Sequence, residues 1–314
     1  MTATPPVLFL IFNRPDLTAQ VFQRIRELRP AQLFVAADGP RSDREGEAQL
    51  CAAARQTVER GVDWDCDVKE LFREKNLGCK IAVSSAIAWF FEHVEEGIIL
   101  EDDCLPSPGF FPFCSELLTR YRDDERIMAV CGSNFQDGLR RGSGSYYFSI
   151  YNQIWAWATW RRAWRFYDPE LLLWPSLKPS KWLAGVTGSG LAAAHLGSDF
   201  DRITAGTYDT WDAQWNFCCW TNHGLALIPN ENLVTNLGFD ERATHTKDAL
   251  SKDAKRTVAE LAFPLVHPRL VHPDYEADAY TARHQYGIGC EKPRTGRVLR
   301  RIAGRVKWIL NQSR

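Results

Sequence analysis

The sequence lacks several features that would place it in a well-known class. No CxxC pair occurs among its 9 cysteines, which disfavours zinc sites of the finger or ribbon type. No apolar run reaches the roughly 18 residues of a membrane-spanning helix. No GxGxxG follows the first apolar run and no GxxxxGK[ST] occurs, so neither a dinucleotide Rossmann site nor a P-loop is expected. A net charge of -1 disfavours a nucleic-acid binder.

The composition is that of a globular protein with a sizeable core. Of 314 residues, 45% are hydrophobic and 25% charged, which excludes a disordered chain, a collagen and a coiled coil. Isolated cysteines such as Cys131 indicate small buried hydrophobes in a reducing cytosol. The apolar run Val7–Phe12 is too short for a signal peptide and predicts a buried strand. We therefore expect a cytoplasmic protein, either free or peripheral on the inner face of the cell membrane.

Strand and helix patterns alternate through the first third of the chain. Apolar runs predict strands at 7–12, 32–38, 68–72 and 97–103, with helices between them ending near Leu28, Arg60 and His93. This order predicts an α/β fold, a mainly parallel sheet flanked by helices. Ligands of such sheets bind where loops leave the carboxyl ends of the strands.

Tryptophan is abundant, and most of it is in one segment. Of 12 tryptophans, 9 lie between Trp155 and Trp220. Within IWAWATWRRAW, the spacing of Trp157, Trp160 and Trp164 predicts one face of a helix. These rings either pack in the core, the alternative favoured for most of them, or stack on the apolar faces of sugar rings.

Three consecutive carboxylates end the fourth predicted strand, in IILEDDCLPSPGFFPF. Strand alternation would place Glu101 and Asp103 on one face and Asp102 on the other. Adjacent acids repel one another, and a hard divalent cation removes that conflict because Mg²⁺ and Mn²⁺ prefer carboxylate and phosphate oxygens. The alternative is a charged surface turn.

These motifs together resemble the GT-A glycosyltransferases. EDDCLPSPGFFPF is similar to the EDD motif of the N-acetylglucosaminyltransferase I type, and TWDAQW resembles the segment that carries that family's catalytic base. FNRP, ADGPR and NLG also stand at the expected places, and LALIPNENLVTNLGFDERATH resembles the segment that closes such sites. The resemblance covers about residues 7–245.

The resemblance implies a nucleotide-sugar site with a divalent metal, Mn or Mg. Asp103 would be the main metal ligand, with His245 as a second ligand or as an ordinary loop histidine. Arg41, Lys75 or Lys80 would meet phosphate, or would be solvated surface charges. The nucleotide-sugar-binding residues would be Asn13, Arg14, Asp38, Asn76, Lys80, Glu101 and Asp102.

The same resemblance assigns a catalytic base. Asp212 would take the proton of the attacking acceptor hydroxyl in an inverting transfer, and Trp211 would contact the acceptor. Trp215 gives Asp212 a second apolar neighbour that would strengthen it as a base. The alternatives are that Asp212 only caps a helix, or that Asp209 is the base.

The implied activity is that of a hexosyl- or N-acetylhexosaminyl-transferase of polysaccharide biosynthesis. It would move a sugar from a nucleoside diphosphate donor, UDP-sugar being favoured, to a glycan or lipid-linked saccharide. A sugar-phosphate nucleotidyltransferase and a non-catalytic glycan-binding protein remain alternatives.

The charged residues at the end of the sequence are all basic. Residues 292–314 contain eight Lys/Arg and no Asp/Glu, with apolar residues at helical spacing. This predicts a basic amphipathic helix, either on an anionic membrane surface or docked on the protein. We expect a nucleotide-sugar-binding half at 1–135, an acceptor-binding half at 136–250 and a helical extension at 251–314.

Overall fold

The computed structural model describes residues 4–239 and 252–285. The strands are β1 Val7–Ile11, β2 Gln32–Ala37, β3 Asp67–Phe72, β4 Glu96–Glu101, β5 Cys104–Pro106, β6 Ile127–Cys131, β7 Tyr146–Ser149, β8 Trp157–Trp160, β9 Leu225–Pro229 and β10 Val234–Asn236. The helices are α1 Pro15–Leu28, α2 Glu47–Glu59, α3 Gly78–His93, α4 Phe110–Arg120, α5 Arg161–Trp164, α6 Trp174–Leu177, α7 Trp182–Thr187, α8 Gly190–Thr204, α9 Asp212–Thr221 and α10 Tyr275–His284. A 3₁₀ turn covers Lys252–Lys255.

The main sheet has eight strands in the order β3-β2-β1-β4-β8-β6-β9-β7. β3, β2, β1 and β4 are parallel neighbours, and β6 and β9 also pair in parallel. β8 is antiparallel to both of its neighbours, and β7 is antiparallel to β9. The fold is therefore α/β with a mainly parallel sheet, as the sequence predicts, and strands from both halves of the chain share it.

Two apolar cores cover the two faces of the sheet. Leu8 and Leu10 of β1 contribute to one core, together with α3 and the tryptophan-rich segment. Val7, Phe9 and Ile11 contribute to the other core, together with α1, α2 and α4. Both faces of β1 are buried, which explains why the strand is an unbroken apolar run rather than an alternating one.

The tryptophan-rich segment is not the helix that its spacing predicts. Trp157–Trp160 is the buried strand β8, and a helix begins only at Arg161. Trp157 and Trp160 consequently belong to opposite cores, since residues three apart in a strand face opposite ways. Pairing with β4 and β6 on both sides satisfies the backbone of this segment, and this tertiary pairing overrides the local helical pattern. The expectation that most of these rings pack in the core is confirmed.

The described residues 252–285 dock on the edge of the sheet. The Asp274 amide donates to the Phe148 carbonyl of β7 (2.8 Å), and Gln136 Nε2 donates to Thr281 Oγ1 of α10 (2.9 Å). His245 and the basic segment 292–314 lie outside the described residues. Of the helices that the structure describes, none is long and apolar enough to cross a membrane.

Candidate functional site

A cavity of about 260 Å³ opens at the carboxyl ends of β1, β2 and β4, beside the start of α3. This is the edge where ligands of parallel α/β sheets bind. The cavity lies at the edge where the sequence analysis expects a ligand. Its polar lining residues are Arg14, Asp38, Arg41, Arg73, Asn76, Glu101, Asp102 and Asp209.

The acidic triplet forms the end of a strand and the turn after it. β4 ends at Glu101, so Asp102 and Asp103 lie in a turn and do not alternate across the sheet as predicted. The Arg14 guanidinium contacts both turn residues: its Nη2 lies 2.5 Å from Asp102 Oδ1 and 3.0 Å from Asp103 Oδ2. The Phe12 amide donates to Asp102 Oδ2 (3.2 Å). Arg14 therefore neutralises part of the acidic turn, and it also lines the cavity.

Negative charge remains in excess at this turn. Three carboxylates face one guanidinium, and burial together with the charges of Asp103 and Asp102 raises the pKa of Glu101. Burial also raises the pKa of Asp102, although the Arg14 charge opposes that shift. Glu101 Oε1 is inaccessible to solvent and has no hydrogen-bond partner among the described residues. An unpaired buried oxygen of this kind is costly unless a cation or a donor group reaches it.

The chemistry of this turn fits a divalent cation shared with a phosphate ligand. Mg²⁺ is commonly held by one or two carboxylates, with substrate phosphates and water completing its shell. Asp103 and the unpaired Glu101 oxygen offer such ligands. The described residues contain no group of three or more His, Cys, Asp or Glu side chains that could hold a metal by themselves. His245, the second predicted ligand, lies outside them.

Two carboxylates from distant parts of the chain cap the start of α3. Asp38, after β2, accepts from the Leu77 and Gly78 amides (3.0 and 3.2 Å) and from Asn76 Nδ2 (2.9 Å). Asp209 accepts from the next two amides of the chain, those of Cys79 (2.9 Å) and Lys80 (2.8 Å). These bonds satisfy the amide groups that a helix leaves without partners at its first turn.

This arrangement gives Asp38, Asn76 and Lys80 structural contacts. Burial raises the pKa of Asp38, while the backbone amides of Leu77 and its neighbours oppose the shift. Lys80 Nζ pairs with Glu170 Oε1 at 2.7 Å. Lys75 is exposed and does not line the cavity.

A buried acid that the sequence analysis missed organises the other two loops. Glu47, 4% exposed at the first position of α2, accepts from Asn13 Nδ2 (2.8 Å) and from the Arg41 amide (2.7 Å). The Arg41 guanidinium also donates to it through Nε at 3.0 and 3.1 Å. Glu47 begins an otherwise ordinary polar helix, so no local signal distinguished it.

Asp212 is the first residue of α9 and accepts a hydrogen bond from the Thr210 hydroxyl. It is partly exposed, and its charge contributes to the raised pKa of Glu101, after burial and the nearer acids. Trp211 is only 2% exposed, and its ring stacks on Trp157 with centroids 5.7 Å apart. In this conformation the Trp211 ring offers no free face to an acceptor, which favours the packing alternative.

Comparisons with known proteins leave the family open. No protein-family model matches the chain, and no curated protein matches it. Among solved structures, the mannosyltransferase PcManGT from Pyrobaculum calidifontis, in complex with GDP-Man and Mn²⁺, is 16% identical with a TM-score of 0.35. That match covers 50% of this chain and 45% of the mannosyltransferase.

Two further solved structures match with similarly low identities and TM-scores. Mouse xyloside xylosyltransferase 1 is 10% identical over 68% of this chain and 80% of its own, with a TM-score of 0.33. A 4-diphosphocytidyl-2C-methyl-D-erythritol synthase from Anaerococcus prevotii is 8% identical over 71% of this chain and 87% of its own, with a TM-score of 0.31. At these TM-scores none of the likenesses carries an argument about this chain.

Proposed function

We propose that this chain is a glycosyltransferase that uses a nucleoside diphosphate sugar, with UDP-sugar as the favoured donor. The observation that carries the proposal is the acidic turn, Glu101–Asp103, beside a cavity formed by the loops after β1, β2 and β4. A cavity at this edge suits a nucleotide, and an excess of carboxylate at its rim suits a cation that accompanies a diphosphate.

The donor would lie with its nucleoside in the cavity and its diphosphate toward the acidic turn. Asp103, with the unpaired Glu101 oxygen, would hold Mn²⁺ or Mg²⁺ there. When bound, the ion neutralises the charge that grows on the leaving diphosphate. Arg14 would keep Asp102 and Asp103 close together, because its guanidinium contacts both.

Asp212 would act as the general base. The acceptor hydroxyl forms the new bond at the anomeric carbon while the bond to the diphosphate breaks, and the carboxylate takes the hydroxyl proton. Asp212 is preferred to Asp209, because both Asp209 oxygens already accept backbone amides of α3. A single in-line displacement of this kind inverts the anomeric centre. The acceptor would be a glycan or a lipid-linked saccharide.

A thermal-shift panel with UDP, GDP, CDP and TDP, each with and without Mn²⁺, tests the donor class. Strong stabilisation by one diphosphate only when metal is present supports the proposal. In Asp103→Asn, the metal-dependent part of that stabilisation should disappear. The matched control, Asp123→Asn, changes an exposed aspartate elsewhere and should respond like wild type.

Turnover with the best donor completes the test. Asp212→Asn should abolish sugar transfer while leaving donor binding unchanged, since a base acts on the acceptor. Full activity of Asp103→Ala with every nucleotide sugar tried would refute the assignment. Release of pyrophosphate from a nucleoside triphosphate would indicate a nucleotidyltransferase instead.

A further inference from the structure

Glu47 joins two loops that are far apart in sequence. Its carboxylate accepts from Asn13 Nδ2 in the loop after β1, at 2.8 Å. It also accepts from the Arg41 amide (2.7 Å) and Arg41 Nε (3.0 Å) in the loop after β2. The residue is 4% exposed, and the Arg41 hydrogen bonds hold its pKa below the usual value. Both loops border the cavity, so the carboxylate fixes their separation.

The partner of Glu47 lies on the wall of that cavity. Arg41 and Phe12 both line it, and the Arg41 guanidinium lies 5.5 Å from the centroid of the Phe12 ring. The Arg41 side chain is 40% exposed although Glu47 is almost completely buried. A planar guanidinium beside an aromatic ring is a surface on which a flat ring stacks. The N–H groups of Arg41 that do not reach Glu47 can donate to acceptors on the edge of that ring, and these acceptors differ between bases.

The carboxylate of Glu47 already neutralises most of the charge of Arg41. A guanidinium with its Nε and one terminal nitrogen on a carboxylate has little net charge left for a phosphate. We infer that Glu47 is a positioning residue: its bond to Asn13 fixes the loop after β1, and it holds Arg41 as the nucleobase-facing wall of the cavity, so that Arg41 sets the choice of base. This rests on the proposed function and differs from both sequence-based alternatives for Arg41, a phosphate contact and a solvated surface charge.

The test compares affinities for UDP, GDP, CDP and TDP by calorimetry, with Mn²⁺ present. Glu47→Gln removes the charge that orients Arg41, and Arg41→Lys keeps a cation but loses the flat, two-point contact. In both variants the preferred nucleotide should lose about tenfold or more in affinity, while the other three lose much less. The advantage of the preferred base should therefore shrink.

Glu96→Gln is the matched control. Glu96 also accepts two hydrogen bonds from one arginine, Arg122, at 2.9 and 2.6 Å, but it begins β4 at the end opposite the acidic turn. All four affinities should stay within about twofold of wild type in this variant. If Glu47→Gln is unstable, Arg41→Lys still tests the inference. It changes a partly exposed side chain, so its effect on affinity is not caused by a loss of folding.

The outcomes distinguish a wrong inference about Glu47 from a wrong proposed function. An equal fall in all four affinities in both variants would mean that Arg41 does not distinguish the bases, and it would overturn the inference. Unchanged affinities, or a wild-type protein without base preference, would also overturn it while leaving the proposed function intact. A wild-type protein that bound none of the four would refute the proposed function, and the inference with it.

Discussion

A buried carboxylate on α10 makes the stability of this protein depend on pH in a calculable way. Asp278 is 5% exposed and accepts hydrogen bonds from Ser149 Oγ (2.5 Å) and from the Ile150 amide (3.4 Å). Both bonds favour the charged form, but burial outweighs them. Burial, with a smaller contribution from the charge of Asp274, raises the pKa of Asp278 from 3.8 to about 7.

The direction of the effect follows from proton binding. The folded protein holds the Asp278 proton more tightly than the unfolded chain, so the stabilisation given by the neutral acid is complete below the unfolded pKa of 3.8. It is lost as the pH rises to the folded value of about 7. From about pH 5 to about pH 8, this one group should lower the free energy of unfolding by about 3 kcal/mol.

Asp278→Asn removes the titration and keeps the shape of the side chain. Urea unfolding at several pH values should show the variant gaining about 3 kcal/mol relative to wild type between about pH 5 and about pH 8. The change with pH is the readout, since any constant effect of the amide cancels. Asp123→Asn, at an exposed position, is the control and should track wild type. A constant difference between Asp278→Asn and wild type would refute the reasoning.

Two further predictions concern packing. Gly78 has a φ of +78°, and a Cβ there would lie 2.8 Å from Asp209 Oδ2, so Gly78→Ala should cost about 1–3 kcal/mol in urea unfolding. Gly138→Ala is the control, because Gly138 has a φ of +85° but a Cβ there would meet no atom within 4 Å. It measures the backbone strain alone and should lower the free energy of unfolding by less. An equal loss in the two variants would contradict the clash with Asp209. Trp157 is 1% exposed, so Trp157→Ala should lower the free energy of unfolding by about 3–5 kcal/mol. A change near zero in the same assay would show that the ring is not part of the core.

A structural feature is predictable from the sequence when it depends on residues that are close together in the chain. β1 and β2 follow from apolar runs that end in turn residues, and the cavity then follows from the rule for parallel sheets. The same reasoning fails for Trp157–Trp160, because its helical spacing is also that of a short strand buried on both faces. Only the pairing with β4 and β6 decides between the two.

Side-chain partners were the least predictable part of the site. Arg14 and the acidic turn were each singled out from the sequence, but not their ion pair, which spans 88 residues. The Asp209 contact with the Cys79 amide spans 130 residues, and Glu47 reaches Asn13 across 34. Composition and periodicity describe neighbours along the chain, so contacts over these separations appear only once the strands are ordered in the sheet.

The stacked pair of Trp157 and Trp211 has an optical consequence. Two indole rings with centroids 5.7 Å apart and planes inclined by 21° couple their electronic transitions. Such coupling contributes to the circular dichroism band of an indole cluster that also includes Trp164 and Trp215, and the band changes when the two rings separate. Because Trp211 directly precedes Asp212, that band would report movement at the start of α9 during substrate binding without an attached label.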